Sequence, residues 1–148
     1  RRYLVEYLNK KMKIESQEFA VVLLDIDDFK SINDKYGHIY GDQTLQAFSD
    51  SMKKNMDNKG IVTRFGGEEF MLVFDDINHE VIEDTLNKVA EEFALYGKQS
   101  KGIELSFSGG VEVFYQEDEI VKLFNQADHK LYYAKHTGKK KIFFDIDV

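Results

Sequence analysis

The 148-residue chain contains no cysteine, proline or tryptophan. Without cysteine it can form neither a disulfide framework nor a thiolate metal site, which fits a reducing compartment such as the cytoplasm. No apolar run is long enough to span a bilayer and no signal peptide is visible, so the sequence predicts no direct membrane contact for this segment. The absence of proline carries no functional interpretation.

Positive charge is also scarce, because 20 Lys and Arg are outnumbered by 27 Asp and Glu, for a net charge of -7. A nucleic-acid duplex needs clustered Lys and Arg, so no nucleic-acid partner is expected, whereas a nucleotide held through metal ions is compatible with this charge. The length and the 43% hydrophobic content predict a single globular domain over residues 1–148. Because the chain begins at Arg1 rather than Met, we expect it to be a truncated piece of a longer protein, whose other parts could include a membrane anchor.

Hydrophobic periodicity predicts an alternation of helices and strands. In chain order we expect a helix over 1–13, a strand over 19–24, a loop at 33–37, a helix from about 41, strands over 61–64 and 70–74, a helix over 78–96, a strand over 103–114, a helix from 118 and a strand over 139–146. The central β-α-β-β-α-β order is the split βαβ pattern of the ferredoxin-like α+β fold, with helices covering one face of the sheet. In that fold the end of the 19–24 strand lies beside the hairpin of the next two strands.

That hairpin carries the segment Arg64-Phe65-Gly66-Gly67-Glu68-Glu69-Phe70. Two adjacent glycines between apolar runs favour a tight turn, because primed turns need positive φ angles. Side chains alternate along a strand, so Glu68 and Glu69 are expected to face different surroundings and to differ in role. The alternative interpretation is a solvated hairpin tip without a function.

The strand over 19–24 ends in a second acidic cluster, Asp25-Ile26-Asp27-Asp28. Alternation places Asp25 and Asp27 on one face, where two like charges need a cation or hydrogen bonds. Asp25 and Glu68, facing one another across adjacent strands, would hold a hard divalent ion whose shell a substrate phosphate completes. The alternative is that Asp27 or Asp28 caps a turn that begins at Phe29.

Basic side chains follow these acidic clusters and could meet a phosphate. Lys30 lies at the start of a helical turn, where backbone N–H groups favour anions, and Lys135 lies at the end of the helix that begins near 118. A run from Lys139 to Lys141 comes next. Each of these residues could equally be a solvated helix end that complements the helix dipole, so spacing alone leads to a metal-and-phosphate site without a named substrate.

Four segments resemble, in order, the motifs of the GGDEF family, the diguanylate cyclase domains. The hairpin is similar to the family signature in its GGEEF form, and Leu24 to Asp42 is similar to LDIDxFKxIND-x-x-GHxxGD. Ser106 to Val111 resembles TVSxGV, and Ala127 to Gly138 resembles ADxALYxAKxxG. Together the matching segments extend over nearly the whole chain.

The resemblance implies a fold like that of nucleotidyl cyclase and polymerase palm domains, and the condensation of two GTP molecules to cyclic di-GMP with loss of two pyrophosphates. It implies two Mg²⁺ ions per active site, for which Mn²⁺ can substitute, and a catalytic homodimer governed by an upstream sensory or receiver domain.

Asp25, Glu68 and Glu69 match the catalytic positions. Within that set, Asp25 and Glu68 bind the metal together with the carbonyl of Ile26, and Glu69 is suggested to help take the proton of the attacking hydroxyl. Asn33 and Asp42 match the family positions that contact guanine. The positions that contact phosphate are matched by Phe29, Lys30, Lys135 and Lys139. Gly66 and Gly67 match the positions where the nucleotide approaches the backbone closely.

The chain departs from the family pattern in three places. Lys139 stands where the family usually has Arg, which keeps the charge but loses the bidentate fork and predicts weaker GTP binding. The segment from Asp57 to Gly60 occupies the place of the inhibitory RxxD motif with neither Arg nor Asp in register, so we predict no inhibitory product site there. The DxLTGLxNR lead-in is missing except for its end at Arg1 and Arg2, which predicts a less stable or less active fragment.

Two other functions stay open at this point. One is a catalytically weak or silent GTP-binding regulatory module, against which the retention of Asp25, Glu68 and Glu69 argues. The other is an acidic interaction domain without a nucleotide, against which the retained guanine positions, Asn33 and Asp42, argue.

Overall fold

The computed structural model describes residues 18–114 and 120–143. Its strands are β1 (Phe19–Ile26), β2 (Gly60–Gly66), β3 (Glu69–Phe74), β4 (Phe107–Phe114) and β5 (Ile142–Phe143), in the sheet order β2-β3-β1-β4-β5. Its helices are α1 (Phe29–Tyr36), α2 (His38–Asn55), α3 (His79–Lys101) and α4 (Ile120–His136). β2, β3, β1 and β4 pair antiparallel, and β5 joins β4 in parallel. The predicted ferredoxin-like α+β order, with an extra terminal helix and strand, is confirmed.

β1 is the central strand, and its apolar residues are buried on both faces, as the continuous apolar run predicted. Its even-numbered residues, from Ala20 to Ile26, belong to one apolar cluster with α2 and α3. Its odd-numbered residues, from Phe19 to Leu23, belong to a second cluster with Phe124 and Ala127 of α4. The sequence predicted helices on one face only; α2 and α3 cover that face, and α4 covers the other.

The apolar stripes predicted for α2 and α3 are buried in the first cluster. They comprise Leu45, Phe48, Met52 and Met56 on α2 and Ile82, Leu86, Val89 and Phe93 on α3. The ring of Phe48 lies at the centre of this cluster, with centroids 4.7 to 5.2 Å from the rings of Phe93, Phe107 and Phe70. α3 begins as predicted at Asn78, whose side chain accepts hydrogen bonds from the backbone N–H groups of Glu80 and Val81.

Several boundaries differ from the prediction. Residues 33–36 belong to α1 rather than to a loop, because Ile32 is buried and Phe29 and Tyr36 pack against the first cluster. α2 begins three residues earlier than predicted, α3 continues to Lys101, and β4 begins at Phe107 rather than at 103. The predicted helix over 1–13, the beginning of the predicted last helix at 118–119 and the end of the predicted last strand lie outside the described residues.

Gly109 and Gly110 mark a close approach of backbones; a pair of glycines within a strand indicates either such an approach or a bulge. The β1–β4 register is continuous, so there is no bulge at this point. A Cβ on Gly110 would lie 2.6 Å from the carbonyl oxygen of Ala127, so α4 packs directly on β4 and its last turn reaches the end of β1. Within residues 18–114 and 120–143, no helix is both long enough and apolar enough to cross a membrane.

Candidate active site

The site is centred on the carboxyl end of β1, beside the β2–β3 hairpin. Asp25 is opposite Glu69 in the β1–β3 register, and the N–H of Ile26 donates to the carbonyl of Glu68 at 3.4 Å. The sequence predicted that Asp25 faces Glu68 across the strands, but the register gives this position to Glu69, because Glu68 still lies in the turn. Both glutamates of the hairpin are therefore neighbours of the Asp25 segment.

The electrostatics of Asp25 favour a cation at this point. Burial raises the pKa of its carboxyl group to about 6, the charge and hydrogen bond of Lys135 oppose this shift, and the charges of Glu68 and, less strongly, Glu69 add to it. The charges of the two glutamates therefore repel the ionised carboxylate of Asp25, and a bound cation relieves that repulsion.

Lys135, in the last turn of α4, supplies one positive charge to this acidic cluster. Its Nζ atom lies 3.1 Å from the Asp25 carboxylate and 2.9 Å from the Asp27 carboxylate. The same ammonium group donates to the carbonyls of Asp25 and Ile26 at 3.1 and 3.0 Å. The like-charged pair Asp25 and Asp27 was expected to need a cation or hydrogen bonds, and both are present: Lys135 contacts both carboxylates, and Ser106 and Ser108 donate to Asp27.

The metal donors predicted from the family motif are few and consist of oxygen only. They are the carboxylates of Asp25 and Glu68 and the carbonyl of Ile26. Among the described residues, no group of three or more His, Asp or Glu side chains is arranged to hold a metal ion. This small set nevertheless suits Mg²⁺, which keeps several waters and usually takes one or two carboxylates together with substrate phosphates.

The predicted phosphate contacts lie around the same strand end. Asp28 precedes α1 in a left-handed conformation, with a φ angle of 57°, and its side chain makes no capping hydrogen bond. The alternative that Asp28 caps the turn at Phe29 is therefore wrong; its carboxylate pairs with Lys139 instead, which raises the pKa of Lys139. Phe29 packs against the core and Lys30 is exposed, in a first helical turn whose N–H groups have no acceptor within the helix.

The two predicted guanine contacts meet where α1 is followed by α2. The amide of Asn33 lies so close to the backbone of Gly41 that a Cβ there would be 1.8 Å from the Asn33 Oδ1 atom. Asp42, the next residue, is exposed and lines a pocket of about 240 Å³ with Leu45, Gln46, Ser49, Arg64 and Phe70. This pocket joins α2 to the hairpin, where Arg64 Nε donates to the carbonyl of Gly67 at 2.9 Å. Gly66 and Gly67 themselves are exposed at the turn.

Two groups of residues at the site were not predicted from the sequence. Leu45, Gln46 and Ser49 follow Asp42 at intervals of three, four and seven, a helical spacing that could have placed them on one face. Asp27 was interpreted only as a like charge or a cap, whereas it is 5% exposed and accepts hydrogen bonds from Ser106 and Ser108. Nothing in the local sequence shows which distant strand approaches Asp27.

The segment from Asp57 to Gly60 stands in the place of the inhibitory RxxD motif, and its last position, Gly60, has little room for a side chain. Lys59 turns its ammonium group back to the carbonyl of Asn55 at 3.0 Å. Gly60 has a φ angle of 154°, and a Cβ there would lie 1.7 Å from the carbonyl oxygen of Val73. The absence of an inhibitory product site here stays a prediction, and this geometry supports it.

A family model described as "Diguanylate cyclase, GGDEF domain" matches residues 1–141. The chain belongs to the GGDEF family. It is 35% identical over 146 residues to the probable diguanylate cyclase DgcF of Escherichia coli K12, an alignment that covers 93% of this chain and 46% of that protein. It is 34% identical over 143 residues to the uncharacterized membrane protein SERP0413 of Staphylococcus epidermidis, covering 93% of this chain and 40% of that protein. This GGDEF chain thus spans less than half the length of these curated relatives.

Solved structures agree with this fold. The active GGEEF domain of a diguanylate cyclase from Vibrio cholerae superposes with a TM-score of 0.84 at 24% identity, covering 99% of this chain and 97% of that one. The diguanylate cyclase SiaD from Pseudomonas aeruginosa, solved with its activator SiaC, gives a TM-score of 0.85 at 27% identity and covers 97% and 58% of the two chains. The GGDEF domain of DgcB from Caulobacter crescentus, solved with c-di-GMP, gives 0.84 at 23% identity, covering 96% and 88%.

Proposed function

We propose that this GGDEF domain is a diguanylate cyclase that condenses two GTP molecules to cyclic di-GMP and two pyrophosphates. The observation that supports this most directly is the grouping of Asp25, Glu68 and Glu69 with Lys135 at the end of β1. The similarity to a relative named as a probable diguanylate cyclase supports it independently.

Asp25, Glu68 and the carbonyl of Ile26 would hold Mg²⁺. When bound, Mg²⁺ supplies Lewis-acid polarisation of the α-phosphate and activation of the attacking 3′-hydroxyl. Lys135, Lys139 and the first N–H groups of α1 would bind the remaining phosphate oxygens and offset their charge.

The guanine base would be selected at the α1–α2 junction. The carboxylate of Asp42 can accept hydrogen bonds from the N1–H and N2–H₂ groups of guanine, and the amide of Asn33 can donate to a ring acceptor. Adenine has no N1–H to offer, so this pair favours guanine. Glu69 is exposed opposite Asp25 and would accept the proton of the 3′-hydroxyl, for which a carboxylate within hydrogen-bond reach suffices.

Each copy of the domain would bind one GTP, so the two new phosphodiester bonds would form between two copies that face one another. Homodimerisation is therefore part of the proposal, and an upstream sensory or receiver domain in the full protein would control it. The attacking hydroxyl on one copy would then meet the α-phosphate held by the other.

A catalytically silent GTP-binding module is the second candidate. The observation that favours it is the ion pair between Lys139 and Asp28, because a lysine engaged in this way must release its partner before it can bind a terminal phosphate. A single ammonium group also binds phosphate less firmly than the usual Arg would.

Incubation of the domain with GTP and Mg²⁺, followed by chromatographic separation of the nucleotides, distinguishes the two candidates. The domain should be compared with a version dimerised by a leucine zipper, with and without EDTA. We expect cyclic di-GMP from the dimerised version, and none after EDTA or in Glu68→Ala. GTP binding without product from either version would support the silent module, and full activity of Glu68→Ala would remove Glu68 from the metal site.

A further inference from the structure

Asp27 forms hydrogen bonds with several separate segments of the site. Its carboxylate accepts four hydrogen bonds: from Ser106 Oγ at 2.6 Å, Ser108 Oγ at 2.7 Å, Lys135 Nζ at 2.9 Å and the backbone N–H of Lys140 at 3.0 Å. Its own N–H donates to the carbonyl of Ser106 at 2.9 Å.

These partners come from three separate places in the fold. Ser106 immediately precedes β4 and Ser108 is its second residue, and both hydroxyl groups donate to Asp27. Lys135 belongs to the last turn of α4, and Lys140 to the turn that follows it, in which Lys139 and Lys140 have φ angles of 60° and 52°. Asp27 therefore holds the Lys135 ammonium group directly, and through the backbone of Lys140 it holds the turn that carries Lys139, against the end of β1.

The carboxylate of Asp27 is buried and accepts a hydrogen bond from every neighbour named above, one of them a lysine ammonium group. A buried carboxylate that is hydrogen-bonded in this way holds its donors in fixed positions.

Lys135 is shared between the carboxylates of Asp27, at 2.9 Å, and Asp25, at 3.1 Å. Without the Asp27 carboxylate, the ammonium group would keep only Asp25 as a charged partner at this point, and Asp25 is the carboxylate that the metal would need. We propose that Asp27 is a positioning residue that holds Lys135 and the Lys139–Lys140 turn in place for phosphate and keeps Asp25 available to the metal. This inference rests on the proposed function, and Asp27 itself touches no substrate.

The decisive comparison uses Asp27→Asn, with Ser108→Ala as a milder variant that removes one hydroxyl donor. A first readout needs no nucleotide: the ¹⁵N resonance of the Lys135 ammonium group in the metal-free domain, assigned by its loss in Lys135→Met. We expect this resonance to shift strongly or to disappear by fast exchange in Asp27→Asn, and to shift in the same direction in Ser108→Ala.

The second readout is the affinity for Mg²⁺ and GTP, titrated calorimetrically. We expect Asp27→Asn to weaken GTP binding about tenfold or more, and to add little to the loss already caused by Lys135→Met, because both changes act through one ammonium group. Ser51→Ala is the matched control, since Ser51 also donates to a carboxylate, that of Glu92, at 2.6 Å but far along the chain from Asp27. It should lower thermal stability without changing GTP affinity.

The outcomes separate this inference from the proposed function. An unchanged Lys135 resonance in Asp27→Asn and Ser108→Ala, or losses of GTP affinity that add fully to that of Lys135→Met, would overturn the positioning role. If the Lys135 resonance changes as expected in these variants but the wild-type domain does not bind GTP, the proposed function is overturned instead. If Asp27→Asn does not fold, the Ser108→Ala resonance and affinity decide the matter.

Discussion

At the scale of single residues, Gly41 leaves room for the side-chain amide of Asn33, which we propose contacts the guanine base. A Cβ at this position would lie 1.8 Å from Asn33 Oδ1, so Gly41→Ala must rotate the Asn33 amide away. Ala is favoured over Gly in a helix by about 1 kcal/mol, so stability should be unchanged or higher. We expect about tenfold weaker GTP binding, equivalent to about 1.4 kcal/mol, measured by titration with a fluorescent GTP analogue beside thermal unfolding.

Asn33→Ala provides the control for this prediction. If Gly41→Ala acts by displacing the Asn33 amide, it should change GTP affinity little in a chain that already carries Asn33→Ala. Wild-type affinity in Gly41→Ala alone would show instead that Asn33 does not bind the base.

Residues of the site could be predicted from the sequence where an unusual residue type stands at the end of a predicted strand. Asp25 and Glu68 stand out because carboxylates are unusual at the ends of apolar strands, and the predicted topology brought those ends together. The role of Asp27 could not be predicted, because Ser106 lies 79 residues away and alternation gives the face of a side chain but not its neighbour across the sheet. The one-residue shift that puts Glu69 opposite Asp25 depends on the turn geometry, which two glycines leave open.

At the scale of elements, α2 and α3 are joined by a polar contact centred on Glu92. Its carboxylate accepts hydrogen bonds from Ser51 at 2.6 Å, Lys54 at 2.6 Å and Asn55 at 2.7 Å. The hydrogen bonds from Lys54 and Ser51 lower the pKa of Glu92 to about 2. Because the folded pKa lies below the unfolded value of 4.5, the contact stabilises the domain above about pH 5, and this contribution is lost as the pH falls towards 2.

Glu92→Gln should therefore lower the free energy of unfolding at pH 7 by on the order of 1 kcal/mol, with a difference from wild type that shrinks below pH 4. The magnitude is modest because Lys54 is 72% exposed and water screens its charge. Urea unfolding between pH 3 and 7 measures this difference. Glu91→Gln, an exposed change on the same helix, should stay within about 0.5 kcal/mol of wild type. If the loss of unfolding free energy in Glu92→Gln does not depend on pH, then packing rather than charge stabilises the contact.

Elements were predictable where one face is apolar over several turns, as in α2 and α3. α1 was missed because Asn33, Asp34 and Gly37 favour a turn, although Phe29, Ile32 and Tyr36 have the spacing of a helical stripe. Packing of that stripe on the core outweighs the local preference of the polar residues. The helix that covers the second face of the sheet was not predicted, since the apolar run of β1 indicates two covered faces but not which helix covers the second.

At the scale of the whole molecule, the net charge of -7 acts against the assembly that the proposed reaction needs. Two copies carry the same charge and each would bind a further anionic nucleotide, so their approach is repulsive at long range. Salt shortens the range of this repulsion, from about 30 Å at 0.01 M to about 10 Å at 0.1 M. The predicted dependence of turnover on dimerisation is therefore also a dependence on ionic strength.

We expect the isolated domain, at a concentration where few copies are paired, to make cyclic di-GMP several-fold faster per domain when KCl is raised from about 10 to about 150 mM. In the version dimerised by a leucine zipper, salt affects GTP and Mg²⁺ binding in the same way, but it does not affect how often two copies of the domain meet. The ratio of the isolated rate to the dimerised rate should therefore rise with KCl, and it should rise further with domain concentration. If the ratio falls with salt instead, complementary charges across the interface outweigh the net repulsion, and the active pair is held by ion pairs between copies.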